Sequence, residues 1–388
     1  MVQVPLTLGV EEEYQIINPE TRALTSYVQQ LINAGNVVLG DQLKPEFMQS
    51  QIEVGSHICR NIQEARQEII RLRRTVSEIA AEHGRTIVAA STHPFSRWEE
   101  QAISEGERYK DLETSMQEVG RRLLIFGMHV HVGFGKTPEA LELLIEMQNE
   151  IRYFLPHLLA LTTSSPFWHG RNTGLKSYRS IVFKSLPRTG IPPMFTSFAE
   201  YQNMVGTLGK VGVLGKSEEG DATRLWWDAR PQVGFGTLEI RICDICSTID
   251  EAVCIVALIQ SLVAKLIKLR NQNQSWRLYR SVLLEENKWR AVRYGLDGQL
   301  IDFGKSEVVP MRFLANELVD LVDDVVDDLG TRKDVEYIHT IVENGTSADR
   351  QLTTYRKAMS QGADSQEALI QVVDQLIEET AIGWKQTE

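Results

Sequence analysis

The chain has 388 residues, 43% of them hydrophobic and 24% charged, with a formal net charge of −11. Those values belong to a folded protein with a large core, in one large unit or two ordinary ones. The acidic balance argues against nucleic acid or an anionic membrane as main partner, although a local arginine cluster can still hold a small anion.

The N-terminal Met1-Val2-Gln3-Val4-Pro5 has no basic segment before the first strand, so no signal peptide is expected. The first patterned stretch is Leu6-Thr7-Leu8-Gly9-Val10-Glu11-Glu12-Glu13-Tyr14-Gln15-Ile16. Read as a strand, it puts Leu6, Leu8, Val10, Tyr14 and Ile16 on one face and Thr7, Gly9, Glu11, Glu13 and Gln15 on the other. Glu11 and Glu13 then lie roughly 7 Å apart on one face, where they repel unless cations intervene. Glu12 falls on the apolar side, which calls for an edge or a partner. Glu46 to Val54 reads as a second strand, with Gln49, Gln51 and Glu53 on one side. Asn61 opens a helix whose Ile62, Ala65, Ile69, Leu72, Val76 and Ile79 form an apolar stripe. Arg85 to Ser91 is expected as a short strand and Ser104 to Leu124 as an amphipathic helix.

Phe126-Gly127-Met128-His129-Val130-His131-Val132-Gly133-Phe134 repeats the first pattern, with both histidines opposite Met128, Val130 and Val132. A helix is expected from Pro138, a suitable first helical residue, to about Leu161. Thr162 to Pro193 is rich in Ser, Gly, Pro, Arg and aromatics, as binding loops are, with a short strand expected at Ser180 to Ser185. Ser197 to Leu208 reads as helix and Gly209 to Gly236 mostly as loop. Thr237-Leu238-Glu239-Ile240-Arg241-Ile242-Cys243 is a third strand with chemistry on one side only. Glu251 to Leu269 is the most apolar helix, and Gln260, Lys265 and Lys268 within it argue against a membrane span. The acidic residues between Asp320 and Asp328 read as a solvated helix face. Cys59, Cys243, Cys246 and Cys254 read as reduced thiols, and the whole pattern as cytoplasmic. A single domain over 1–388 is expected, helix-rich from about residue 250.

Glu11, Glu13, Glu53, His129 and Glu239 on one sheet face carry more negative charge than one divalent ion neutralises, which suggests two or three ions and phosphoryl chemistry. Arg171, Arg179, Arg188, Arg230 and Arg241 lie in or beside the site segments. His129-Val130-His131 alone would also suit a metal-dependent amidohydrolase, but the later histidines His157, His169 and His339 are misplaced for that and the Glu11/Glu13 pair would be unused.

Taken in order, the Gly9–Tyr14 segment, the Gly127–Gly133 segment, Ser165-Pro166-Phe167-Trp168 with Gly170-Arg171, Ser177-Tyr178-Arg179, Gly236–Arg241 and Ala348-Asp349-Arg350-Gln351 resemble the signatures of bacterial carboxylate–amine ligases related to glutamate–cysteine ligase, within the glutamine synthetase superfamily. The resemblance implies an α+β fold with a mainly antiparallel sheet forming a funnel, backed by helices and followed by a helical C-terminal part. It implies ATP as co-substrate, Mg²⁺ or Mn²⁺, amino-acid substrates, and amide formation through an acyl phosphate. Glutamate with cysteine is the first expectation; another amine acceptor, or a small-molecule kinase on the same sheet, is the alternative. Carried over by position, Glu11, Glu13, Glu46, Glu53, His129 and Glu239 match metal ligands; Glu46 needs a bulge or turn to face Glu53. Arg241, Arg230 and His131 match the nucleotide side, with Glu11, Glu13 and Arg241 carrying the chemistry. Arg171, Tyr178 and Arg179 match the amino-acid side. A homodimer is allowed by this reading.

Overall fold

The alternation along Leu6–Ile16 is realised as strand β1 (Leu8–Ile17) in the computed structural model, which describes residues 4–215 and 221–384. Met1-Val2-Gln3, and the 216–220 part of the segment read as loop, lie outside the described residues. In chain order there follow β2 (Leu43–Pro45), β3 (Gln51–Gly55), β4 (Thr86–Val88) and β5 (Met128–Gly133). Two short ladders come next, β6 (Phe167–Trp168) with β7 (Arg171–Asn172), and β8 (Thr189–Gly190) with β9 (Trp226–Trp227). Strands β10 (Ala229–Gln232) and β11 (Thr237–Ile240) complete the main sheet.

That sheet is open and antiparallel throughout, in the order β10-β11-β5-β1-β3-β2, with β4 pairing the far end of β1. Its apolar face is buried: Leu8, Val10, Tyr14, Ile52, Val54, Met128, Val130, Val132, Leu238 and Ile240 are all almost fully excluded from water. The Ile62–Glu82 and Ile249–Asn271 helices pack on that face. Asn61 caps the first of these by accepting a hydrogen bond from the Glu64 N–H. Thr248 and Glu251 close a capping box at the start of the second. The Ile249–Asn271 helix is long and apolar enough to cross a membrane, and 78% of its most apolar window is buried inside the protein. The acidic side of the Met311–Leu329 helix is exposed and paired on its rim by Arg332, Lys265 and Lys268.

Glu12, on the apolar face, is met by Arg73 from the middle of the Ile62–Glu82 stripe. Arg73 Nε donates to Glu12 Oε2 at 3.0 Å and Nη2 to Oε1, while Tyr14 Oη donates to Oε2 at 2.6 Å. Two further guanidinium N–H groups reach the Ser247 and Cys246 carbonyls, both at 2.8 Å. All four cysteines are free and buried.

Four local expectations are corrected. The single strand over Glu46–Val54 is β3 preceded by a turn at Glu46–Ser50 that folds back from β2. The single helix from Pro138 is two, Pro138–Ile151 and Leu155–Thr162; Pro156 lacks an N–H and its ring clashes with the carbonyl four residues back. The strand at Ser180–Ser185 is the helix Tyr178–Lys184, the local β preference of Ile181 and Val182 being overridden by tertiary context. Strands β9 and β10 lie in the stretch read as loop. Pro231 disguised β10, which is an edge strand where a missing donor is tolerated.

Candidate active site

The registers of the four central pairings decide what the polar face of the sheet contains. Glu11 lies opposite His129 and Gly9 opposite His131 across β1 and β5. Glu13 lies opposite Glu53 across β1 and β3, His131 opposite Glu239 across β5 and β11, and Arg230 opposite Glu239 across β10 and β11. Directly opposed like charges in an antiparallel pair repel, so the Glu13–Glu53 pairing has no stability rationale in the metal-free chain.

The hairpin turn resolves the phase of Glu46 and brings it to that pair. Carboxylate oxygens of Glu13, Glu46 and Glu53 lie within 4.8 Å of one another. The only ion pair at this end among the described residues is Lys44 Nζ to Glu53 Oε1, 3.3 Å. Gln51 Nε2 and the Gly127 N–H both donate to Glu13 Oε2, at 3.1 and 2.6 Å. Lost hydration and the facing Glu53 charge push the Glu13 carboxyl up to about 7. Burial, with Glu53 and Glu13 beside it, raises Glu46 well above the usual carboxylate range. Burial and Glu11 raise Glu53 in the same direction.

The other end is balanced by cations. Glu239 is clasped by Arg230, whose Nε donates to Oε2 at 2.7 Å, and also receives an Arg241 N–H. Although burial pushes it up, Arg241 and Arg230 hold the Glu239 carboxyl down at about 2. His129 Nδ1 stands 3.0 Å from Glu11 Oε2, with Arg241 Nη1 3.4 Å away. Burial and Arg241 lower His129 to about 4. Against burial, the two histidines hold Glu11 well below its usual value. His131 Nδ1 sits 2.9 Å from Thr237 Oγ1, and its buried Nε2 has no hydrogen-bond partner. Ligand atoms of Glu11, His131 and Glu239 lie within 4.8 Å of one another. Both histidines thus reach Glu11, His129 through Nδ1 at 3.0 Å and His131 through Nε2 at 3.7 Å, and His131 also groups with Glu239.

These donor sets fit hard divalent cations: one is three carboxylates short of positive charge, the other two carboxylates and an imidazole nitrogen without a hydrogen-bond partner. The two arginines already neutralise the second set, so the Glu13–Glu46–Glu53 set should take its ion more tightly. Because a cation needs the carboxylate form, Mg²⁺ affinity there is expected to rise with pH through about 7 and then level off, with protons released on binding. The sign for the metal-free fold is opposite. A carboxyl raised from 4.5 to about 7 contributes stability below 4.5 that is lost as the pH climbs to 7. Calorimetric titrations in buffers of different ionisation enthalpy check this; proton-independent binding between pH 6 and 8 would contradict it.

The loop residues divide. Arg179 is buried, its Nη2 donating to the Arg241 carbonyl at 3.1 Å and Nη1 to the Ile242 carbonyl at 3.3 Å, with Nε unpartnered. Tyr178 is half-buried against Trp168, ring centroids 5.2 Å apart. Arg171 is exposed on the β6–β7 hairpin and is not brought to the carboxylates. Arg188 lies over the Trp226 ring, away from them. Sequence reasoning missed Asp244, hidden inside Cys243-Asp244-Ile245-Cys246. Its buried carboxylate accepts from the Ser164 N–H (2.9 Å), Ser165 Oγ (2.7 Å) and Ser177 Oγ (2.8 Å), closing both ends of the loop that carries Arg171. Lys44 was also missed, having no periodic signal in so short a strand.

Gly127 is required by this packing: a Cβ there would stand 2.5 Å from Arg179 Nη2. Gly127→Ala is expected to keep the fold, since a guanidinium end can shift. By displacing Arg179 and the N–H that holds Glu13, it should lower turnover about tenfold or more, since small misplacement of an aligned group costs that much. Parallel melting and rate measurements test it; an unchanged rate would show that neither Arg179 nor the Gly127 N–H sets the geometry of the site.

Residues 7–375 match the family described as "Glutamate-cysteine ligase family 2". A protein of Herpetosiphon aurantiacus named "Putative glutamate--cysteine ligase 2" is 52% identical over 379 residues, covering 98% of this chain and 94% of its own. One of the same name from Roseiflexus castenholzii is 51% identical over 379 residues, covering 98% and 96%. In fold, the chain resembles the crystal structure of a glutamate–cysteine ligase from Francisella tularensis in complex with AMP. The TM-score is 0.69 at 12% identity over 98% of this chain and 90% of that one. It also resembles a bifunctional glutathione synthetase from Pasteurella multocida, with TM-score 0.64 at 14% identity, over 97% of this chain and 53% of that one. The chain belongs to glutamate–cysteine ligase family 2, and is an enzyme of the carboxylate–amine ligase class.

Proposed function

We propose that the chain joins the side-chain carboxylate of L-glutamate to the amine of L-cysteine, with ATP converted to ADP and phosphate. The observation that carries this reading is the register, which sets Glu13 against Glu53 and Glu11 against His129 with Arg230 and Arg241 on the same face. Uncompensated carboxylates beside paired guanidinium groups suit a metal-bound polyphosphate and little else.

On this reading Glu13, Glu46 and Glu53 would hold one ion, and Glu11 and Glu239 with His131 or His129 another, with Mg²⁺ or Mn²⁺ as the metal. Bound metal lowers the charge repulsion between the triphosphate and the incoming carboxylate. Arg241 and Arg230 turn from Glu239 toward phosphate oxygens, and their planar forks suit that partner. Arg179 acts through the Arg241 and Ile242 backbone, and the loop pinned by Asp244 would hold the amino acid through Tyr178, with Arg171 able to reach it only by a movement of the β6–β7 hairpin. A carboxylate oxygen attacks the γ-phosphorus and ADP leaves. The amine nitrogen then attacks the acyl carbon, loses its proton, and phosphate departs. Residues 1–388 act as one cytoplasmic catalytic unit.

ADP release measured over a panel of acids and amines tests the assignment. The expected result is release that needs both partners and is fastest with L-glutamate and L-cysteine. A different amine giving the highest rate would reassign the acceptor; release with an acid alone and a stable phosphorylated product would make the protein a kinase.

A further inference from the structure

A cavity of about 700 Å³ lies outside the sheet site, in the helical layer. Its walls come partly from the Leu155–Thr162 and Met311–Leu329 helices, which pack on the Ile249–Asn271 helix, and that helix in turn covers β1 and β5 from their apolar side. None of the residues assigned above to the ligase reaction lines this space.

Its chemistry is specific. Tyr153, Phe154, Trp276 and Tyr279 form an aromatic wall, with centroids of Phe154 and Trp276 4.8 Å apart, Tyr153 and Trp276 5.4 Å, and Tyr153 and Tyr279 5.6 Å. Three carboxylates, Asp302, Glu317 and Asp320, also line it. Among the described residues Asp302 pairs only with Lys305, at 3.3 Å, and neither Glu317 nor Asp320 forms an ion pair. The single cation of the lining, Arg277, lies over the Tyr279 ring at 5.7 Å, so the lining stays net negative. At its inner end His157 is 3% exposed; the Tyr153 carbonyl touches the ring, and Nδ1 has no hydrogen-bond partner. Burial keeps that imidazole neutral, with its pKa down at about 4, so its free ring nitrogen can accept a hydrogen bond from a ligand N–H while staying uncharged.

Aromatic faces attract an ammonium through the ring quadrupole, unpaired carboxylates add charge, and a neutral buried imidazole offers an acceptor. We infer that this cavity is a second binding site, for a primary ammonium carried on an aromatic or aliphatic body. A cavity of this volume holds a molecule of ordinary metabolite size.

Calorimetric titration of the full chain with phenethylammonium, phenethyl alcohol and hydrocinnamate tests it, since the three differ mainly in charge. Phenethylammonium is expected to bind saturably and about tenfold tighter than the alcohol, with hydrocinnamate weakest. Trp276→Ala should weaken the ammonium about tenfold, and Glu317→Gln should narrow the gap between ammonium and alcohol without changing the alcohol. Circular dichroism shows whether each variant is folded; if Trp276→Ala is not, Glu317→Gln decides alone. Equal binding of the three probes, no saturable binding, or ammonium binding that neither substitution alters would overturn the assignment, the last by placing the amine at the catalytic sheet.

Discussion

Replacing Arg73 with methionine is expected to cost about 3–5 kcal/mol, because it leaves Glu12 buried without its counter-ion. Arg73 and Glu12 are 0% and 2% exposed at the side chain, so neither water nor salt can take over. The Cys246 and Ser247 carbonyls lose donors as well. Glu12 lies between Glu11 and Glu13, and its ion pair fixes the middle of β1 to the Ile62–Glu82 helix. The loss should therefore reach the site through strand position as well as through stability. Denaturant unfolding measures it. Pairing Arg73→Met with Glu12→Leu should recover a large part of the stability, since a hydrophobic substitute for a buried pair is often neutral. A loss below about 1 kcal/mol in the single variant would mean that Glu12 finds another way to be neutralised.

Glu53→Gln should act in opposite directions on stability and on rate. Without metal, removing one of two directly opposed carboxylates relieves repulsion, so stability should hold or rise by up to about 1 kcal/mol. Turnover should fall about a hundredfold or more, because a charge that holds catalytic metal contributes several kcal/mol to the transition state. A structural role would instead lower stability and rate together. Full activity in the variant would remove Glu53 from the reaction.

The sheet face was legible because strand period is strict: Glu11, Glu13, Glu53, His129, His131 and Glu239 all project to one side, as the alternation requires. Two anomalies in periodic patterns, Glu12 on an apolar strand face and Arg73 in an apolar helix stripe, turn out to explain each other. Only the first drew notice, since long cations are tolerated at the edge of a stripe. What was not legible depends on contacts distant in sequence. The turn at Glu46 was implied by its phase against Glu53, whereas the pinning of the loop by Asp244 and the contact of Gly127 with Arg179 leave no local pattern. Nor do the different partners of the two histidines, which share a face and differ in which neighbours claim their ring nitrogens.

The proposed reaction activates an acid by phosphoryl transfer on this sheet face, and an amine then captures it. Heavy oxygen placed in the side-chain carboxylate of L-glutamate follows that step directly. With ATP, Mg²⁺ and the amine that supports turnover, one labelled oxygen is expected to appear in the released phosphate, with ADP, phosphate and amide formed in equal amounts. Amide formed with unlabelled phosphate would contradict the acyl-phosphate route.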